Sequence, residues 1–271
     1  MLATVVPVKN EEKRLKKTIE TLLAIPSNLI IPVINGSSDN SFNIVQQIRS
    51  KQVSPVHFIE TLGIDIPRAV GAKVAINKGA AAVLFLDGDM DGDIVESLRE
   101  LFLAVERGLA DMALTDCYPG QYLPGLSSLA NEVLVVRRKL NREMGLEKII
   151  GAASPSHGPH VVSRRFLLNI PLRDLAVPPV SLARAVKKGL TIQVGASIPH
   201  KLLGSPEKNF IHSELIAETI IGDCLEALCA YRDKKRSRRS GLINYDGYNS
   251  QRRWDLLDEF VKQHTKNNIP L

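Results

Sequence analysis

The feature that most constrains this chain is an alternation over its first 115 residues, in which apolar runs of strand length are separated by segments of helical period. Thr4-Val-Val-Pro-Val8 reads as a strand, and residues 12–23 then place Leu15, Ile19, Leu22 and Leu23 on one helical face. Residues 29–34, 56–59 and 82–86 read as further strands. Helices are expected over 41–49, 68–78 and 93–107, with a short strand at 112–114. Strands joined by crossover helices pair in parallel, so the pattern predicts an α/β fold with a mostly parallel central sheet and helices on both faces. No apolar run approaches the roughly 18 residues of a membrane span. The opening residues, with Lys9, Glu11, Glu12, Lys13 and Arg14, lack a signal-peptide pattern, so a soluble cytoplasmic protein is expected.

After Cys117 the alternation stops. Residues 118–125 are rich in Gly and Pro and read as a loop, and 127–144 form a long helical segment bearing Arg137, Arg138, Lys139 and Arg142. A loop at 151–159, a short helix at 163–168, a helix at 180–188, a strand at 190–194 and a helix at 209–230 follow. A mixed loop at 240–249 leads to an amphipathic helix around 254–261. The chain carries 35 Lys+Arg against 29 Asp+Glu, a formal +6, but residues 232–239 alone hold six positive charges and one negative. The rest is near neutral, and the basic run has no aromatic for base stacking, so it reads as a solvated segment and no nucleic-acid partner is expected. The three cysteines form no CxxC pair and read as reduced thiols.

In open α/β sheets, ligands bind at the carboxyl ends of the strands. Three polar clusters fall there: Lys9-Asn-Glu11, Asn35-Gly-Ser-Ser-Asp39 and Asp87-Gly-Asp-Met-Asp-Gly-Asp93. Asp87 and Asp89 emerge from a buried strand, where two close carboxylates repel each other unless a cation intervenes. Mg²⁺ or Mn²⁺ takes such carboxylates together with substrate phosphates. Asp91 and Asp93 read instead as caps of the following helix. The run also matches the start of a calcium-hand loop, but its twelfth position is Leu98 rather than Glu, and a strand precedes it. No P-loop, no G-x-G-x-x-G and no G-x-S-x-G is present. His57 and His212 need only core or surface roles. His200, just after a strand, reads either as a loop histidine or as a metal ligand supplied by the far half of the chain.

Three segments carry a resemblance. Val5-Val-Pro-Val-Lys-Asn-Glu-Glu12, Val33-Ile-Asn-Gly-Ser-Ser-Asp-Asn-Ser41 and Phe85-Leu-Asp-Gly-Asp89 are similar, in kind and spacing, to the motifs of family 2-like glycosyltransferases of the GT-A fold, the last being their D-x-D. Residues 158–171 more weakly resemble the glucosyl-3-phosphoglycerate synthases and related retaining enzymes. The resemblance implies that Pro7, Val8, Asn10 and Glu11 hold the base and ribose of a UDP- or GDP-sugar, with Asn35 and Asp39 nearby. Arg68 or Lys73 would lie near ribose or diphosphate, and Asp87 near ribose or sugar. Asp89 and His200 would hold Mg²⁺ or Mn²⁺. The bland alternative for Arg68 is a solvated residue on an exposed helix start.

The acceptor half is expected at 116–230, after a nucleotide-sugar-binding half at 1–115 and before a basic segment and C-terminal helix at 231–271. The loop 118–128 with Arg164, Arg165 and Arg184 suits an acceptor bearing phosphate or carboxylate. Arg164 and Arg165 also fit plain helix-surface charges. Two departures stand out: Asn35 replaces the usual acidic residue of its turn, and no Asp or Glu lies between Asp174 and Glu207, where the related enzymes carry a carboxylate facing the sugar. Inversion needs a general base. The enzyme is therefore retaining, or takes its base from elsewhere, or is a catalytically impaired nucleotide-sugar-binding protein. A sugar nucleotidyltransferase is the competing enzyme class, but its Gly-rich loop after the first strand is missing. A homodimer is left open.

Overall fold

Valine-rich and isoleucine-rich strands resist helix and fit a pleated surface, and in the computed structural model, which describes residues 1–120, 126–206 and 209–266, they build a seven-stranded sheet. The first half contributes β1 (Leu2–Val8), α1 (Leu15–Leu23), β2 (Leu29–Asn35), α2 (Ser41–Gln47), β3 (Val56–Phe58), α3 (Ile66–Asn77), β4 (Ala82–Phe85), α4 (Val95–Glu106) and β5 (Met112–Asp116). There follow α5 (Ser128–Glu143), α6 (Glu147–Ile150), β6 (His160–Ser163), α7 (Arg164–Asn169), α8 (Leu172–Leu175), α9 (Pro178–Lys187) and β7 (Ile192–Ser197). The chain then forms α10 (Phe210–Tyr231), a small hairpin of β8 (Arg239–Ser240) and β9 (Ile243–Asn244), and α11 (Trp254–Lys266). Strand order is β3-β2-β1-β4-β6-β5-β7. All neighbours are parallel except β6, which runs antiparallel between β4 and β5.

Alternate residues of a strand face opposite layers. On β1, Val5 enters a core with Val33, Val70 and Phe85, closed by α3, α9, α10 and α11. Its neighbours Val6 and Val8 enter a second core with Leu15, Ile19, Leu98 and Phe102 from α1 and α4. Both sheet faces are therefore covered, and the polar ends of β1, β2 and β4 emerge together at one edge.

The structure corrects the expectations in four places. His160–Ser163 is a central strand, whereas the alternation was expected to end near Cys117. Val161 and Val162 are fully buried, but four residues carry too little pattern to be seen before the ladders on either side are known. The returning strand runs to Ser197 rather than ending at 194. Asp91 and Asp93 do not cap α4, which begins at Val95 behind Ile94 and has no side-chain cap.

The fourth correction concerns the basic run, which is solvated only in part. Arg232 pairs with Glu143 at 2.5 Å, Arg236 with Asp174, and Arg238 with Asp223 at 2.5 Å and Glu226 at 3.1 Å. Arg238 is 7% exposed. Within the run Arg238 is thus buried and Arg232 and Arg236 are paired at the surface, while Lys234, Lys235 and Arg239 are exposed. Beyond it, α11 buries Leu257 and Phe260 against the α3 side of the sheet, at about 1.5–3 kcal/mol for each large apolar side chain fully removed from water.

Candidate active site

The loops after β1 and β2 are stitched to each other by their own motif residues. Asn10 adopts a left-handed conformation (φ 58°) that asparagine tolerates, and its side-chain oxygen accepts from the Ser38 amide at 2.8 Å. The Glu11 amide donates to Ser41 Oγ at 2.8 Å, the Glu12 amide to Asp39 at 2.9 Å, and the Asn40 amide to Glu12 at 3.0 Å. Partial burial of Asp39 works against its charge, yet hydrogen bonds from Ser41 and Glu12 hold its carboxyl below the usual range. Asn10 and Asp39 therefore brace the loops and do not line the cleft beside them.

That cleft, about 660 Å³, is lined by Pro7, Val8, Glu11 and Asn35 from the ends of β1 and β2, and by Asp87 and Asp89 after β4. Asn35 is buried, accepting from the Leu62 amide at 2.6 Å and donating to the Gly63 carbonyl at 3.1 Å. Its amide holds the 62–63 turn through one donor and one acceptor; a carboxylate could not donate to Gly63.

Arg68 also lines the cleft, and it is buried rather than solvated. Asp65, in a left-handed conformation at the head of α3 (φ 59°), accepts from Arg68 Nε at 3.1 Å, and Asp87 accepts from Nη2 at 2.6 Å. Burial opposes the Arg68 charge, but Asp87 and then Asp65 outweigh it and raise its pKa. For Asp87, burial pushes the carboxyl up against the pull of Arg68, and repulsion from Asp89 and Asp65 adds to the rise. Lys73 stands outside the cleft.

The turn after β7 closes the site from the second half. Gly92 donates to the Leu203 carbonyl at 3.1 Å, and Ser205 Oγ donates to Asp89 at 3.4 Å, so the Asp89 loop and the turn opening with His200 lie against each other. A Cβ on Gly92 would stand 2.0 Å from the Leu202 carbonyl oxygen, so only glycine permits this approach. The Asp91-Gly92 pair that mimics a calcium loop thus serves close backbone packing. His200 lines the cleft with Asp89, and its ring stacks on Tyr118, with centroids 5.8 Å apart, and lies 5.0 Å from that of His157. Burial, then the nearby Arg137 charge, lowers its pKa, so the imidazole is neutral at pH 7 with a nitrogen lone pair to offer.

Among the described residues no group of three or more His, Cys, Asp or Glu side chains is assembled for a metal. Asp89 and His200 supply one oxygen and one nitrogen donor, which fits a divalent ion that completes its shell with diphosphate and water. Burial is the main cause of the rise at Asp87, and such an ion would relieve the repulsion from Asp89 that adds to it.

Other lining residues carried no signal in the sequence. His157 comes from the 151–159 loop, His212 and Thr219 from α10, and Tyr248 and Gln251 from the segment before α11. His212 Nδ1 and Tyr248 Oη are 2.7 Å apart. These positions become neighbours only when the chain beyond residue 230 folds back. Behind them Arg252 pairs with Asp65 at 3.2 Å and Asp223 at 2.7 Å, while Asp223 also holds Arg238. A continuous chain of charges therefore runs Asp87, Arg68, Asp65, Arg252, Asp223, Arg238.

The three arginines expected to meet the acceptor are not in the cleft. Arg164 and Arg165 follow Ser163, which pairs with Ala82 at the start of β4, whereas Asp87 lies beyond its finish. Arg164 donates to the Ala80 carbonyl at 3.2 Å and Arg165 pairs with Asp111 at 3.1 Å. Arg184 pairs with Asp174 at 3.3 Å. Arg164 and Arg165 are exposed on the helix surface, and the loop 121–125, part of the segment expected to face the acceptor, lies outside the described residues.

The model of "Glycosyl transferase family 2" matches residues 4–168, more than half of the sequence. The chain belongs to glycosyl transferase family 2. It is a glycosyltransferase of the GT-A fold. No curated protein matches the sequence. Among solved structures, this family 2 chain resembles glucosyl-3-phosphoglycerate synthase from Mycobacterium tuberculosis. The complex with Mn²⁺, UDP and glucosyl-3-phosphoglycerate matches with TM-score 0.62 and 15% identity, covering 88% of this chain and 81% of that one. The same enzyme with UDP alone gives 0.56, 16%, 83% and 80%, and with phosphoglyceric acid 0.60, 14%, 88% and 81%. At such identities the likeness is one of fold.

Proposed function

We propose that this family 2 glycosyltransferase moves a sugar from a UDP- or GDP-sugar to a small acceptor carrying phosphate or carboxylate, using Mg²⁺ or Mn²⁺. The observation that carries the reading is the meeting of Asp89 and His200, from opposite halves of the chain, in the cleft that also exposes Pro7, Val8, Glu11, Asn35 and Asp87. The base and ribose lie against the β1 and β2 ends, and Arg68 with Asp87 orients the ribose or sugar. Asn10 and Asp39 act one step removed, by fixing the loops. A divalent ion on Asp89 and His200 would neutralise charge developing on the departing diphosphate. The neighbours bound to UDP, Mn²⁺ and phosphoglyceric acid support the same donor and acceptor classes.

Asp65, Asp87 and Asp223 are each engaged by arginine, so none of the three is poised to accept the acceptor proton. Calorimetric titration with UDP- and GDP-sugars, with and without Mn²⁺, tests the whole reading. Donor binding is expected to require the ion, and Asp89→Ala to weaken it at least tenfold. Equal affinity of wild type and Asp89→Ala in Mn²⁺ would remove the metal assignment. NMR of the product anomer then separates retention from inversion.

A further inference from the structure

Four arginines are buried in the described residues, and three rest on carboxylates: Arg68 on Asp65 and Asp87, Arg238 on Asp223 and Glu226, Arg252 on Asp65 and Asp223. The fourth, Arg137 on α5, is 3% exposed and pairs with none. Its Nη2 donates to Ser156 Oγ at 3.1 Å, and its Nε is buried without a partner. The titratable groups near enough to feel its charge are Tyr118, His157, His200 and the thiols of Cys117 and Cys224, both of which burial pushes up to about 12 and keeps protonated. A desolvated cation with no counter-charge is among the costliest features a fold can keep.

Its place in the molecule is informative. Ser156 and His157, against which the guanidinium lies, line the cleft, and His157 stacks on Tyr118 at 5.4 Å and approaches His200 at 5.0 Å. His157 Nε2 is a second buried atom without a partner. Two unsatisfied ring and guanidinium nitrogens, a hydroxyl and an unneutralised positive charge thus converge beside the far-half wall of the cleft. Arginine with a hydroxyl suits the oxygens of phosphate or carboxylate.

We propose that Arg137, with Ser156 and His157, is the oxyanion-recognition corner of the acceptor site, taking the phosphate or carboxylate of the acceptor. This rests on the glycosyl-transfer reading above. It also supplies the cationic contact that Arg164, Arg165 and Arg184 do not.

The test is anion binding by the full chain, probed with inorganic phosphate in one arm and acetate in the other, by calorimetry and thermal shift. Mn²⁺-dependent UDP binding is measured on the same samples. Wild type is expected to bind at least one anion saturably, Arg137→Met to bind it at least tenfold more weakly, and Lys139→Met, an exposed charge two positions away, to match wild type. UDP binding should change less than twofold in all three. The ligand-free melting temperature of Arg137→Met should equal or exceed that of wild type, because the variant removes an uncompensated charge. Should Arg137→Met fail to fold, Arg137→Lys takes its place and is expected to bind at least threefold more weakly. Absence of saturable binding to wild type, or equal binding by wild type and whichever Arg137 variant folds, would overturn the proposal. Loss of UDP binding with anion binding intact would sink the donor reading and leave this one standing.

Discussion

Arg68 and Arg137 are both buried at the edge of one cleft, but Arg68 meets two carboxylates while Arg137 meets only a serine hydroxyl and neutral rings and thiols. On the Arg68 wall, the chain from Asp87 to Arg238 sets three arginines against three aspartates, so the buried charge is balanced and the surface is pre-shaped. On the Arg137 wall the charge is left open, so the fold carries a cost that an incoming anion can offset. The difference separates a wall built to be rigid from one built to receive.

The closed wall breaks most severely at its shared node. Asp223→Ala leaves Arg238 and Arg252 short of a partner in the interior, and removing one member of a buried pair costs about 3–5 kcal/mol. Urea unfolding should show a loss of that size, and a loss below about 1 kcal/mol would mean that the network is slack. Arg68→Met comes next. Asp87 is 35% exposed and can rehydrate, so the expected loss is about 2–3 kcal/mol, against none for Arg137→Met. Equal costs for the two arginines would erase the distinction between the walls.

Acid probes the same wall more gently. Burial, then the Arg68 charge, pushes the buried His160 down to about 3 from its ordinary 6.5. The unfolded chain therefore binds a proton that the folded one refuses between those limits. Stability should fall as pH drops from 6.5 toward 3, with His160 contributing about 1.4 kcal/mol per pH unit over that window. His160→Gln should flatten the slope. In Arg68→Met the fall should still begin near 6.5 but end at a higher pH, because the second cause of the shift is gone. An unchanged slope in His160→Gln would show that other groups govern the acid limb.

How much of this was legible depended on whether a residue's role was set locally. Strand ends carry their own label, because a buried apolar run must release its next polar residues at the sheet edge, and this exposed Asp87, Asp89 and Asn35. Their finer roles were harder to read: the resemblance implies ligand contacts for Asn10 and Asp39, and the structure shows them fastening two loops together. His200 was visible only through its place after a late strand. The remaining wall was silent, since His157, His212, Tyr248 and Gln251 sit in segments whose patterns say only loop or helix. The basic run misled in part for a related reason: Lys234, Lys235 and Arg239 are exposed, but Arg232, Arg236 and Arg238 find Glu143, Asp174 and Asp223 opposite them. Arg164 and Arg165 show the converse, two cations beside a recognisable segment that the antiparallel β6 carries to the wrong end of the sheet.

The ion pair between Asp65 and Arg252 joins residues 187 positions apart. A ribosome finishes the strands that line the cleft long before it makes the arginine that locks the head of α3, so the emerging chain holds a half-built cleft until residue 252 has been made. Productive folding must wait for that late arrival, and the interval is when the exposed edge of the early sheet most needs shelter from other chains.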